Sequence, residues 1–276
     1  MQKLGRFPAA PALEHPCFSD RAHSQFARIH LPVAPKCNIR CAYCDHRSDC
    51  PNESRPGLAS RVIQPQEALQ WVESALLRDP RLRVAGIAGP GEPLANPQTF
   101  RTLEMLHTRF PFLTLCLSTN GLALPPFLPR LVEIGVDTLT VTINTLRLST
   151  ARQIYREIRT QDTACSLSER CSALLSNQQE GVKMAAEQGI AVKINMVVIP
   201  GVNDDQVSEV AAFAASAGAS VMNLMPLIPQ ADLRRLTAPS PQQMAALRHE
   251  AAAFLPQLSH CRQCRADAYG IPGEEP

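Results

Sequence analysis

The chain lacks an excess of charge of either sign: 27 Lys and Arg stand against 25 Asp and Glu in 276 residues, a formal net charge of +2, with the signs intermixed. No basic tail or face results, so the electrostatics do not call for a nucleic-acid partner. Long apolar runs are missing too. Nowhere do about 18 apolar residues follow one another, and the Ala-rich run from Val210 to Ala219 is too short to span a bilayer. Residues 1–19 are interrupted by Pro8, Pro11, Glu14 and Pro16 and hold no continuous apolar core of the kind a secretory signal carries. These absences predict a soluble, cytoplasmic protein with no membrane partner. No internal repeat is visible beyond an alternation of strand-like and helix-like segments.

Cysteine, by contrast, occurs ten times. That is too sparse for a disulfide-stapled secreted scaffold and too clustered for incidental core thiols, which leaves metal ligation in a reducing compartment. Cys37, Cys41 and Cys44 form a Cys-x3-Cys-x2-Cys triplet. Three thiolates in one short loop can hold three irons of a four-iron cluster and leave the fourth open, and an open iron implies a bound reactant. A structural zinc site would instead favour two well-separated pairs making four ligands. Cys50 lies six residues past Cys44, outside the compact triplet.

From Phe26 onward β-type runs alternate with helical patterns, the form of repeated βα units around a parallel sheet. Strands are predicted over 27–34, 83–88, 113–118, 138–143, 192–198 and 220–224, short and rich in Val, Ile, Leu or Thr as strands buried on both faces require. Helix starts are marked by Pro65, by Pro97 behind Asn96 as cap, by Pro126 and by Pro241 behind Ser240. Further helices are predicted over 168–188 and 204–217, with Gly189 and Gly218 at their stops. Residues 147–171 carry the least pattern and read as a long loop with some helix. Six units predict one partial, open α/β barrel over 26–256, with an N-terminal extension over 1–25 and a C-terminal tail over 257–276.

Chemistry in such folds sits at the carboxyl ends of the strands, and the polar motifs fall there. Gly89-Pro90-Gly91-Glu92-Pro93 follows the second strand and offers two glycines for close backbone approach and a carboxylate able to bind an ammonium; alone it would also pass for a proline-rich turn. Thr119 and Asn120 follow the third strand, Asn144 the fourth and Pro200 to Asp204 the fifth. Taken singly, Thr119, Asn120, Thr142, Asn144, Asn195 and Val197 are ordinary strand-end residues; in barrel register they would line a pocket. Near the C-terminus, Cys261-Arg262-Gln263-Cys264 is a tight pair suited to zinc, thiol exchange or iron–sulfur ligation, with no thioredoxin-like βαβ context before it. Cys116, at the end of the third strand, would complete a three-thiolate set with that pair, or be a buried core thiol.

The triplet, with Tyr43 just before its third cysteine, resembles the radical S-adenosylmethionine (SAM) signature, and Gly89 to Pro93 resembles the Gly-Gly-Glu motif that holds the SAM amino group. Over nearly the whole chain, the blocks His15-Pro16-Cys17, His30 to Pro35, Asn52 to Gly57, Gly86 to Asn96 and Cys261 to Ala268 resemble the NifB family, radical SAM proteins of nitrogenase cofactor assembly. The resemblance implies a 4Fe-4S cluster on Cys37, Cys41 and Cys44 that binds SAM, with Tyr43, Gly91, Glu92, Thr119, Asn120, Thr142, Asn144, Asn195 and Val197 around it. It further implies two substrate 4Fe-4S clusters, K1 on Cys17, His30 and Cys50 and K2 on Cys116, Cys261 and Cys264. These would be fused, with SAM-derived carbide and an added sulfur, into an eight-iron core. His23 is an alternative K1 ligand. Glu53 and Arg55 would relay protons and hydrogen-bond sulfur at the reacting cluster, though a surface ion pair suits them as well.

Few residues follow Cys264, and the resemblance implies a short form without the further NifX-like domain of longer family members. The resemblance therefore implies cluster-delivery proteins and a separate cofactor carrier or scaffold as partners. Cys165 and Cys171 match no ligand position. Two other functions fit parts of the pattern: a cluster scaffold without radical chemistry, against which the intact triplet and Glu92 argue, and a radical SAM enzyme with auxiliary clusters acting on a peptide, RNA or pterin precursor, in which Cys17, His30 and Cys50 have no evident role.

Overall fold

A computed structural model of the chain describes residues 14–45, 49–51, 61–160, 164–261 and 263–274. Nine strands are found among them: β1 Ala27–His30, β2 Ile39–Cys41, β3 Leu82–Ile87, β4 Thr114–Thr119, β5 Thr138–Thr142, β6 Tyr155–Ile158, β7 Ala191–Val198, β8 Val221–Pro226 and β9 Tyr269–Gly270. Seven form one sheet in the order β8-β7-β5-β4-β3-β1-β9. Every pairing in it is parallel except that of β9 on the free edge of β1. The six parallel strands are the six read from the sequence, and the sheet curls as an open half-barrel. Residues of the C-terminal tail thus become part of the barrel sheet: Ala268 accepts the His30 N–H at 2.8 Å, just before β9 pairs with β1.

Alternation along each strand separates two surfaces. Leu115, Leu117, Leu139, Val141, Val192, Ile194 and Leu224 face outward into a core shared with the helices Pro65–Arg78, Pro97–Arg109, Leu124–Ile134, Leu167–Glu187, Val207–Ser216 and Pro241–Ala252. The intervening positions line the hollow of the half-barrel with polar groups, among them Arg28, Thr138, Thr140, Thr142, Lys193, Asn195 and Asn223, all buried. A second apolar cluster, including Ile39, Tyr43, Ile154, Tyr155, Leu174, Val197 and Met225, closes the hollow at the carboxyl ends of the strands.

Three expectations need correction. The first strand is shorter than 27–34 because Pro32 has no N–H to give, although Leu31 still donates to Gly86 at 2.9 Å and Ala34 to Gly89 at 3.2 Å. The described residues of 147–171 hold more regular structure than a long loop with some helix: the helix Leu148–Ile154 runs directly into β6, and the helix Leu167–Glu187 begins at a Ser166/Glu169 capping box. Four strand residues with two charged ones in the middle carry too little pattern to be read alone; β6 exists because β2, in the cysteine loop, pairs with it. Asn96 stands at the cap position of its helix but makes no side-chain cap bond, being engaged elsewhere. Among the described residues no helix is long and apolar enough to cross a membrane.

Candidate active site and cluster ligands

The cysteine loop leaves β1 through Pro32 and Pro35 and is fastened to the loop after β3. Gly91 N–H donates to Ala34 at 2.6 Å and Glu92 N–H to Lys36 at 2.8 Å. Asn96 closes the same joint from its side chain, donating to the Lys36 and Glu92 carbonyls at 2.8 Å each and accepting the Lys36 N–H at 3.1 Å. A Cβ on Gly91 would lie 2.5 Å from the Lys36 carbonyl oxygen, so only glycine permits this approach.

Glu92 is buried, at 3% exposure. Its Oε1 accepts the Leu94 N–H at 3.0 Å and the Thr119 hydroxyl at 2.6 Å, and its Oε2 accepts the Asn120 N–H at 2.7 Å. These donors fix a buried carboxylate, the counter-charge that suits an ammonium. Asn120 in turn donates to Asn38 Oδ1 at 2.7 Å, inside the cysteine loop.

Within the loop, Cys37 Sγ donates to the Ile39 carbonyl at 3.2 Å, Cys41 closes β2 and is buried, and Cys44 N–H returns to the Cys41 carbonyl at 3.0 Å. The three thiols lie near enough to influence one another electrostatically. Burial pushes the Cys37 thiol up to about 12, with Glu92 and Cys44 adding to the effect, and burial together with Cys37 and Cys44 holds Cys41 well above the thiol range. Three thiols that would repel as thiolates in a desolvated loop fit a cationic iron core, which compensates them. No three His, Cys, Asp or Glu among the described residues close up as ligands of a single ion; thiolates on separate irons of a cube stand further apart than that.

Tyr43 is turned away from solvent and pinned. The Asn144 side-chain amide donates to its hydroxyl at 2.7 Å, while Asn144 Oδ1 accepts the Val197 N–H at 2.9 Å. Asn144 therefore spends both ends of its amide on the protein, and Val197 meets it through its backbone. Asn203 repeats the device one layer up, donating to the Asn144 and Val197 carbonyls at 2.8 Å each and accepting the Ile199 N–H at 2.7 Å. Gln178 donates to the carbonyls of Asn120 and Thr142 at 2.8 and 2.9 Å, and Asn223 to Asn195 Oδ1 at 3.2 Å. Asn96, Asn203 and Gln178 carry no chemical motif: the sequence marks Asn96 as a helix cap and Asn203 as part of the turn 200–204, and gives no signal at Gln178.

The remaining candidate ligands gather in and beside the hollow. Cys116 stands mid-strand, not at the strand end, with Gly86 and Thr138 as its register partners. A Cβ on Gly86 would meet His30 Cδ2 at 3.4 Å and Cys116 Cβ at 3.5 Å, so these two side chains, assigned by the sequence to different clusters, flank one gap. The backbone carbonyl of Arg265 lies 3.1 Å from His30 Nδ1, a geometry that places the proton there and leaves Nε2 as a lone-pair donor. Burial and Arg28 lower the His30 imidazole to about 4, so it is neutral.

The segments around Pro16 and His260 meet here. His260 Nε2 donates to the Pro16 carbonyl at 3.0 Å, which sets Cys261 beside Cys17. Burial raises the Cys17 thiol to about 11, while Lys193 and Arg28 oppose the rise and Cys261 and Cys116 reinforce it. Arg28 Nη2 donates to Cys264 Sγ at 2.8 Å. Buried Asp49 accepts the Ala266 N–H at 3.1 Å, tying the Cys50 segment to the tail. Cys171 is fully buried in the second apolar cluster, and Cys165 is partly exposed. Glu53 and Arg55 lie outside the described residues.

The Radical SAM superfamily profile matches residues 31–214. The FeMo cofactor biosynthesis protein NifB of Klebsiella pneumoniae is 45% identical over 274 residues, covering 97% of this chain and 58% of that protein. The protein of the same name from Methanocaldococcus infernus is 38% identical over 277 residues, covering 100% of this chain and 91% of that protein. Against the first of these the chain spans little more than half of the relative's length. Among solved structures, Streptococcus suis SuiB bound to S-adenosylmethionine aligns with a TM-score of 0.60 at 13% identity, over 85% of this chain and 50% of that one. Methylornithine synthase aligns at 0.53 with 15% identity, over 92% and 77%. At these identities the structures share the fold.

Proposed function

Because the chain belongs to the radical SAM superfamily and, within it, to the NifB family, we propose that it is a radical SAM enzyme of FeMo-cofactor biosynthesis. In this reading it fuses two substrate 4Fe-4S clusters, with SAM-derived carbon and an added sulfur, into an eight-iron core. The residues fit a resident cluster on Cys37, Cys41 and Cys44, which would bind SAM and supply radical chemistry there. The protein's part is positioning. Glu92, fixed by Leu94, Thr119 and Asn120, receives the SAM ammonium; Gly91 lets its loop lie against Lys36; Tyr43 is locked by Asn144, and Asn195, Thr142 and Val197 wall the space below.

The observation that carries the reading is the meeting of Cys17, His30 and Cys116 with Cys264 and the exposed Cys261 in one region, through the bond from His260 to Pro16 and the gap at Gly86. Two clusters held on such neighbouring residues, K1 on Cys17, His30 and Cys50 and K2 on Cys116, Cys261 and Cys264, would stand close enough to join. A joined cluster must then leave, so the reading includes delivery proteins and a carrier as partners. Glu53 and Arg55 are proposed to serve the reacting sulfide by sequence position alone. The test is SAM labelled with carbon-13 in its methyl group: the label should enter the reconstituted cluster. A cluster product without label would sink the carbide reading.

A further inference from the structure

The imidazole of His15 and the hydroxyl of Thr138 are buried donors without an acceptor among the described residues. His15 is 2% exposed, and its Nδ1 accepts the Cys17 N–H at 3.0 Å, so its proton is on Nε2, which has no partner among the described residues. Thr138 is fully buried with its hydroxyl equally without a partner. It sits in the inward-facing row His30, Gly86, Cys116, Thr138, each the register partner of the next. Leaving such a group unsatisfied is destabilising, and valine would fill the Thr138 position at the same size without that cost. Two cations share the hollow. Lys193 is 5% exposed, with its ammonium 5.6 Å from the ring of Phe18 on the segment that carries His15 and Cys17, and fully buried Arg28 reaches Cys264.

We infer that the His15 Nε2–H, the Thr138 hydroxyl and the charges of Lys193 and Arg28 form a donor-lined cradle for the sulfide face of an anionic iron–sulfur cluster held by the neighbouring cysteines, and that they set its reduction potential. A cluster on three thiolates is a large, soft anion whose sulfides accept hydrogen bonds, and its potential follows net charge and the bonds to sulfur. The thiolates attach the irons; the cradle orients the cube and favours its reduced form. This rests on the reading that the chain carries clusters besides the SAM-binding one.

The test is a redox titration, followed by electron paramagnetic resonance, of the full chain reconstituted anaerobically with iron and sulfide, with the SAM-binding cluster as internal reference. Lys193→Met should lower the substrate-cluster potential by the equivalent of about tenfold in the ratio of reduced to oxidised cluster, about 59 mV for a one-electron couple. Lys193→Arg should restore it. Thr138→Val should shift it in the same direction by less, while the melting temperature of the metal-free protein stays level or rises, which a purely structural threonine would not do. Unmoved potentials in Lys193→Met and Thr138→Val, as expected if water satisfies these donors, overturn the inference. If Lys193→Met holds no substrate cluster, Thr138→Val decides alone: a downward shift supports the cradle and an unchanged potential overturns it. A wild-type chain that binds only about four irons would instead overturn the reading beneath it.

Discussion

Asn144 holds the hydroxyl of Tyr43 at 2.7 Å across 101 positions of sequence, and so joins the cysteine loop to the carboxyl end of β5. With the bond from Val197 to Asn144 Oδ1, one amide fixes the loop against two strands. Tyr43→Phe leaves Asn144 Nδ2 with only the Tyr155 hydroxyl, at 3.4 Å, among the described residues. The expected loss is about 1 kcal/mol in denaturant unfolding of the metal-free chain, with the iron content of the reconstituted protein retained.

Gly91→Ala places a methyl 2.5 Å from the Lys36 oxygen and 2.7 Å from its carbonyl carbon, both backbone atoms that cannot turn aside. The bonds from Gly91 to Ala34 and from Glu92 to Lys36 must lengthen or break. A loss of at least about 2 kcal/mol in stability is expected, with SAM affinity reduced tenfold or more by equilibrium dialysis. Wild-type affinity in this variant would contradict the close-approach argument.

Asp49→Ala removes the acceptor for Ala266 N–H. Faster hydrogen exchange should appear at Ala266 and along the tail to β9, with a stability loss of about 1–2 kcal/mol. Exchange unchanged from wild type would mean that the tail is held without Asp49.

The proposed ligand sets can be separated by counting iron. Cys17→Ala and Cys116→Ala should each remove about four irons, and the double variant about eight, if the two residues serve different clusters. A double variant that loses no more than either single one would place both residues on one cluster, as the shared gap between Cys116 and His30 makes physically possible.

Sequence reading succeeded where the signal is local. Proline at helix starts and short β-branched runs located the six parallel strands and the loops at their carboxyl ends, and the Cys37/Cys41/Cys44 triplet with Glu92 needs only spacing to be seen. What escaped depends on partners distant in sequence. β6 exists through β2, Asn96 serves Lys36 and not its own helix, and the tail is fastened by Asp49 and His30. Cys116 was placed at a strand end because its position in the row with Gly86 and Thr138 depends on register, which one strand read alone does not give.

In the proposed reaction one site spends SAM in two ways, as donor of a methyl group to a cluster sulfide and as source of the radical that takes hydrogen from that methyl. A single anaerobic incubation of the reconstituted chain with SAM and reductant, followed by quantitation of both nucleoside products, tests this. S-adenosylhomocysteine and 5′-deoxyadenosine should form together, both lost in Cys37→Ala. Deoxyadenosine formed without any S-adenosylhomocysteine would exclude the double use of SAM.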